Sequence, residues 1–224
     1  MSKTVLMAAA AAFALTAGSA MAATTSVGVH GAKIVPTIHV LKGASMLYNQ
    51  NSNNTGVGLA SMNFTSGSIT NENSAGADDF VVPKGKTWKV KEVDVSGIYY
   101  NNFAAGPATD ENVFFYKDKN GKPGKRVAKI LGLHGTDNAG SFSLELGKKA
   151  VKLTAGTYWV SVVADMNFEA TSQWGWYINS QIHGNPAMWE NPDNGYGTGC
   201  TTWGELGTCV GYSGDFMFDL QGKG

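Results

Sequence analysis

The stretch Thr157-Tyr-Trp-Val-Ser-Val-Val-Ala-Asp165 decides the fold class. Successive side chains of a strand point to opposite faces, so Tyr158, Val160, Val162 and Ala164 share one face while Trp159 and Val163 occupy the other. Apolar residues on both faces need cover on both faces, and the segment is therefore expected to be a central strand. About nine further short apolar or alternating runs, bounded by Gly, Asn, Asp and Pro, lie at 46–48, 58–64, 79–82, 87–100, 112–117, 126–133, 141–146, 174–181 and 216–220. No run of helical period competes with them. The pattern predicts an all-β fold, an antiparallel jelly-roll-like β-sandwich.

Two of these runs carry more detail. Along 87–100, Trp88 and Val90 have one parity and Val93 and Val95 the other, which a flat strand cannot bury together; a bulge near Lys91-Glu92 resolves the conflict. At the C-terminus Phe216, Phe218 and Leu220 alternate with Met217, Asp219 and Gln221, the pattern of a half-buried closing strand. A further short run at 34–41 is interrupted by Pro36.

Composition agrees with turn-rich β structure. Charged residues are 15% of the chain, below the roughly 25% that is usual, and 29 glycines in 224 residues are about twice the ordinary share. Seventeen basic side chains balance 17 acidic ones, and Arg126 is the one arginine. Such a balance gives no electrostatic reason to expect nucleic acid as a partner.

Residues 1–22 read as a Sec-type signal peptide: Lys3, an apolar run from Val5 to Ala17, then Ala20-Met21-Ala22 ahead of cleavage before Ala23. The run is short of the ~20 residues that span a bilayer, so the mature chain is expected to lack a membrane anchor and to be periplasmic or secreted. Residues 23–44 form a polar lead-in, and 45–224 the sandwich domain. Cys200 and Cys209, both in the exported part, read as one disulfide, which in the chain-entropy picture contributes about 2.5–3 kcal/mol.

Candidate chemistry is sparse. Asp118-Lys-Asn-Gly-Lys-Pro-Gly124 has the early spacing of a calcium loop but lacks the closing glutamate, and Asn-Gly followed by Pro-Gly reads as a hairpin turn. Asp78-Asp79 is a carboxylate pair that a structural calcium could use. His30, His39, His134 and His183 have no metal-binding spacing, and no G-x-S-x-G occurs, so no catalytic residue is assigned.

Aromatic residues are the strongest signal. Five of the six tryptophans, Trp159, Trp174, Trp176, Trp189 and Trp203, fall within 159–203. Trp174 and Trp176 project from one strand face, as either a core layer or a stacking platform. Trp189, Tyr196 and Trp203 lie in a long glycine-rich loop stapled by the cysteines, where exposed rings could stack on sugars.

Several runs together resemble a known module: Ala77-Asp-Asp-Phe-Val-Val-Pro-Lys-Gly85, Asn112-Val-Phe-Phe-Tyr116, Gly121-Lys-Pro-Gly124, Leu153-Thr-Ala-Gly-Thr-Tyr-Trp-Val-Ser161, Gln173-Trp-Gly-Trp176, and Asn185-Pro-Ala-Met-Trp-Glu-Asn-Pro192 leading to Gly199-Cys-Thr-Thr-Trp203. They resemble a recurrent exported bacterial β-sandwich accessory domain of choice-of-anchor-type surface proteins and secreted proteases. The resemblance implies a jelly-roll-like accessory role and assigns no catalytic residues. The reading is a non-catalytic module that binds extracellular polysaccharide or surface glycan through Trp174, Trp176, Trp189, Trp203 and Tyr196. A self-associating envelope protein and a hydrolase without a recognisable motif are the alternatives.

Overall fold

The computed structural model describes residues 27–33, 40–66, 69–101, 107–167 and 172–224. The expected leader and most of the run at 34–41 lie outside them. In chain order the strands are β1 (Gly28–His30), β2 (Ser45–Asn49), β3 (Asn54–Ala60), β4 (Met62–Ser66), β5 (Ala75–Val95), β6 (Gly97–Asn101), β7 (Asp110–Asp118), β8 (Pro123–Leu133), β9 (Thr136–Asn138), β10 (Ser141–Glu145), β11 (Val151–Asn167), β12 (Ser172–Asn179), β13 (Met188–Glu190), β14 (Gly204–Glu205), β15 (Asp215–Phe216) and β16 (Phe218–Lys223). One short helix, α1 (Leu206–Val210), precedes β15.

A large sheet runs β14-β13-β5-β11-β7-β8, with β16, β2, β10, β9 and β4 joined along its length, and a smaller sheet runs β1-β3-β12-β15 with β6 beside β12. All pairs are antiparallel except β4 with β11. The segment read first is β11, flanked by β5 and β7 and buried on both faces from Tyr158 to Ala164, as its double-sided pattern requires. The antiparallel sandwich expected from the sequence is the fold observed. Strand β1 shows that the small sheet begins inside the segment expected as a lead-in.

Among the described residues, three of the chain's changes of sheet are made through a single residue. It passes from β3 to β4 at Ser61, from β5 to β6 at Ser96, and from β15 to β16 at Met217. A buried indole N–H needs an acceptor, and three tryptophans find theirs on backbone carbonyls at these places. Trp189 donates to Ala60 at 2.7 Å, Trp176 to Met217 at 2.8 Å, and Trp174 to Gly140 at 2.7 Å, in the turn packed on Gly97. A Cβ at Gly97 would lie 2.5 Å from Trp174 Nε1 and 2.7 Å from the Gly140 oxygen, so that corner admits glycine alone. Trp174 stacks on Phe142 of β10 at 5.0 Å, joining the two sheets through ring contact, and Trp176 stacks on Phe216 within the small sheet at 4.6 Å.

The bulge expected near Lys91-Glu92 is present: Gln221 pairs with Glu92 and Gly222 with Val90, leaving Lys91 between them without a β16 partner. The runs at 79–82 and 87–100 are not separate strands as expected. Residues 79–82 and 87–95 belong to the 21-residue β5, while 97–100 cross the Ser96 corner into β6 of the other sheet. β16 departs from expectation too, because Asp219 and Gln221 are as buried as Phe218 and Leu220. Their face meets Asn51, Glu92 and Asp94, and Gln221 Nε2 donates to Asp94 at 2.7 Å. Burial, then its hydrogen bond to Asp94, pushes the Asp219 carboxyl up to about 8. Burial likewise raises Asp215 to about 6 and Glu190 to about 7.

These buried acids give the fold a pH dependence. A carboxyl whose folded pKa is raised stabilises the fold below its unfolded value near 4, and that contribution is lost as pH rises through the folded values of about 6 to 8. Thermal melts should therefore show a midpoint that falls between pH 4.5 and 8.5, and Asp219→Asn should flatten the upper part of that fall; a midpoint rising across the range contradicts the buried-acid assignment. Trp176→Ala should cost about 3–5 kcal/mol in denaturant unfolding, through the cavity and the lost hydrogen bond to the Met217 carbonyl, which keeps only the Ser96 N–H.

Candidate functional site

The structure separates the five aromatic residues expected to bind ligand. Trp174, Trp176 and Trp189 are each 0% exposed, with their indole N–H groups committed to the backbone as described. They present no ring face to a ligand, which corrects the platform reading of Trp174 and Trp176 and the exposed-loop reading of Trp189. Tyr196 is half-buried against Trp189, centroids 5.9 Å apart, with its hydroxyl buried. Trp203 alone of the five stands at the surface with a partly exposed ring beside other partly exposed rings.

Those other rings come from β7. Val113 and Phe115 point into the core, so Phe114 and Tyr116 emerge on the outer face of the large sheet, both partly exposed. Phe114 and Tyr116 stack at 6.4 Å and 30°, and Tyr116 meets Trp203 edge-on at 6.0 Å and 71°. Beneath Tyr116 and Trp203 lies a small apolar cluster of Ala77, Trp159 and Met188. Trp159 is fixed there by donating its indole N–H to Asp118 Oδ1 at 2.9 Å. The three surface rings thus form a continuous strip, two on β7 and one on the stapled loop, packed on that cluster from below.

Polar groups border the strip. Arg126 pairs with Tyr116 across β7 and β8, and its guanidinium carbon lies 5.9 Å from the Phe114 ring centre. Lys129 pairs with Phe114. Lys122 donates from Nζ to the Trp203 carbonyl at 3.3 Å, and the Trp203 backbone N–H donates to the Glu190 carboxyl. The β7–β8 turn is the hairpin expected from Asn-Gly: Asn120 and Gly121 have φ of 56° and 74°, as a type I′ turn demands, and Lys119 N–H donates to the Lys122 carbonyl at 2.9 Å.

The stapled loop sets Trp203 in place. Cys200 and Cys209 are bonded, with Cα atoms 5.7 Å apart. Asn191 holds the loop base by donating to the carbonyls of Asn71 and Asn73 at 2.8 and 2.9 Å and accepting from Tyr196 N–H at 3.0 Å. The sequence pointed to this loop and to Trp203. It held the signal for Phe114 and Tyr116 as well, in the alternating parity of 112–117, but a continuous apolar run conceals which side faces solvent.

The Asp78-Asp79 pair does not fit a calcium ion. Asp78 Oδ1 accepts the Asp79 N–H, while Oδ2 accepts Gln50 Nε2 at 2.8 Å and the Phe216 N–H. Asp79 accepts the backbone and side-chain N–H groups of Asn185 at 3.0 and 2.8 Å. Each of the four carboxylate oxygens already accepts at least one N–H, and among the described residues no three His, Cys, Asp or Glu gather as a metal site. Gly184, at φ 96°, presses on Asp79 so closely that a Cβ would lie 2.7 Å from its Oδ1. Burial first, then the neighbouring Asp215, holds the Asp78 carboxyl well above the usual range. Asp215 takes the backbone and, at 3.3 Å, the ring of His183; among the described residues that ring bonds to Asp215 alone.

No protein family matches the chain, and no curated protein is similar to it. Among solved structures it is similar to the crystal structure of the cysteine protease and lectin-like domains of Cwp84, a surface-layer-associated protein of Clostridium difficile, at 11% identity and a TM-score of 0.52, over 83% of this chain and 37% of that one. A second structure, of a clostridial cysteine protease Cwp84 variant after propeptide cleavage, is similar at 13% identity and a TM-score of 0.46, over 67% and 36% of the two chains. The chain thus spans well under half the length of these neighbours, and the first likeness shows the β fold. Among the described residues no helix is long and apolar enough to cross a membrane.

Proposed function

We propose that this protein is an exported, non-catalytic glycan-binding module whose ligand stacks on Phe114, Tyr116 and Trp203. The observation that carries the reading is the strip itself: three partly exposed rings about 6 Å apart, two on the outer face of the large sheet and one on the loop beside it, bordered by hydrogen-bonding side chains. Sugar rings offer an apolar C–H face and a rim of hydroxyls, and amphipathic aromatics beside charged and amide groups suit both. The fold neighbour that carries a lectin-like domain and belongs to a surface-layer-associated protein is consistent with this role. Export rests on the N-terminal leader pattern, and a kinship with choice-of-anchor surface proteins on the residue runs quoted above.

Self-association is the second reading. β8 ends the main path of the large sheet, with Val127 and Leu131 38% and 42% exposed. Lys125, Arg126 and Lys129 on the same strand oppose pairing with a second copy, since charges on an edge block strand addition.

The test is retention on a panel of soluble and insoluble polysaccharides. Tyr116→Ala and Trp203→Ala should each weaken retention several-fold to about tenfold, the value of an aromatic contact, with little change in melting temperature. Unchanged retention in both variants, or no retention of the native protein on any glycan, rejects the proposal.

A further inference from the structure

The charges beside the strip are one-sided. Residues 117–129 hold Lys117, Lys119, Lys122, Lys125, Arg126 and Lys129 against the single acid Asp118, in a chain whose charges balance overall. Asp118 is committed, with Oδ1 taking the Trp159 indole and Oδ2 the Gly121 N–H at 3.3 Å. Of the cations, Arg126 and Lys129 pair across β7–β8 with the two rings of the strip, and Lys122 is held at the third ring through the Trp203 carbonyl. All three are exposed, and among the described residues none forms an ion pair; the one such contact is His183 with Asp215. Two carboxylates stand near the strip, Glu190 on the Trp203 backbone N–H and Asp118 on the Trp159 indole, and neither forms an ion pair with the three cations. A row of three unpaired cations along a row of three rings is complementary to a ligand that carries negative charge on its own rings.

We infer that the strip takes an anionic glycan, a polysaccharide whose sugar rings bear carboxylate or phosphate groups. This deepens the stacking reading and rests on it: the rings receive the apolar sugar face while Arg126, Lys129 and Lys122 receive the anionic oxygens. Arginine suits that role, since its planar fork meets two oxygens of a carboxylate or phosphate at once. The opposite end of β7 limits where the anions can lie. Asp110 and Asp165 face each other across β7 and β11, four residues and roughly 13 Å from Phe114, and repel an acidic ligand there. The anionic residues of the polymer are therefore expected over the Arg126–Lys122 end. Three cations on a neutral protein favour a sparsely charged polysaccharide over the denser phosphate backbone of a nucleic acid.

The experiment compares matched polymers that differ in charge alone: polygalacturonate with its fully methyl-esterified form for the carboxylate arm, and a phosphomannan with its dephosphorylated mannan for the phosphate arm. The native protein should be retained about tenfold more strongly on the charged member of at least one pair, and lose that preference between about 50 and about 500 mM salt. Arg126→Gln combined with Lys129→Gln should remove the preference, so that the charged and neutral members of the pair are retained alike. Equal retention on both members of each pair, unaffected by the double variant but lost in Tyr116→Ala, overturns the anionic inference and leaves stacking standing. Retention on no polymer, or retention that Tyr116→Ala does not change, overturns both. Tighter retention on a single-stranded oligonucleotide than on either charged polysaccharide also overturns it.

Discussion

An indole N–H buried in a sandwich core must reach an acceptor, and that requirement organises this molecule. Trp176, Trp189 and Trp174 each bridge the core to a backbone carbonyl where the chain turns from one sheet to the other or packs against such a turn. The corner at Ser61 is closed further by its hydroxyl, which donates to the Val162 carbonyl at 2.6 Å and accepts the Gly76 N–H at 2.9 Å. Corners are where a two-sheet fold would otherwise lose ladder hydrogen bonds. Rings that fill volume and satisfy a carbonyl at the same spot therefore stabilise the fold twice, and removing one leaves a cavity and takes a hydrogen bond from that carbonyl.

The same commitment decides what remains for function. Once the buried tryptophans are spent on corners, the outer face of the large sheet is left with the rings that the core did not claim. Phe114 and Tyr116 are exposed because Val113 and Phe115 won the inner face of β7, and Trp203 joins them because the bonded cysteines and Asn191 fix the loop that carries it. Trp159 links the two regions: it sits in β11 at the centre of the sheet, supports Tyr116 and Trp203 from beneath, and ties to Asp118 at the hairpin that brings in the cations. The surface strip is thus a by-product of core packing.

The sequence disclosed the architecture well. The double-sided pattern of 157–165 marked the central strand, the parity clash at 88–95 marked the bulge at Lys91, and Asn120-Gly121 marked the hairpin. Each is a local rule with a period of two or a backbone preference behind it. Which tryptophans were buried was not legible, since Trp174 and Trp203 differ in what packs against them from distant segments. The Asp78 and Asp219 carboxyls misled in a similar way: carboxylates look like surface or metal groups in a sequence, but Gln50 and Phe216 reach Asp78 from 28 and 138 residues away. The cations of 117–129 averaged out in a chain of zero net charge, and only the pairing of β7 with β8 sets them beside the rings.

Both the corners and the surface strip depend on which tryptophans are spent inside and which one faces outward. Oxidative footprinting of the native protein, read by mass spectrometry at each tryptophan, measures this directly. Trp203 should react first, with Trp159, Trp174, Trp176 and Trp189 protected until the protein unfolds. Reaction at Trp174, Trp176 or Trp189 as fast as at Trp203 would contradict it.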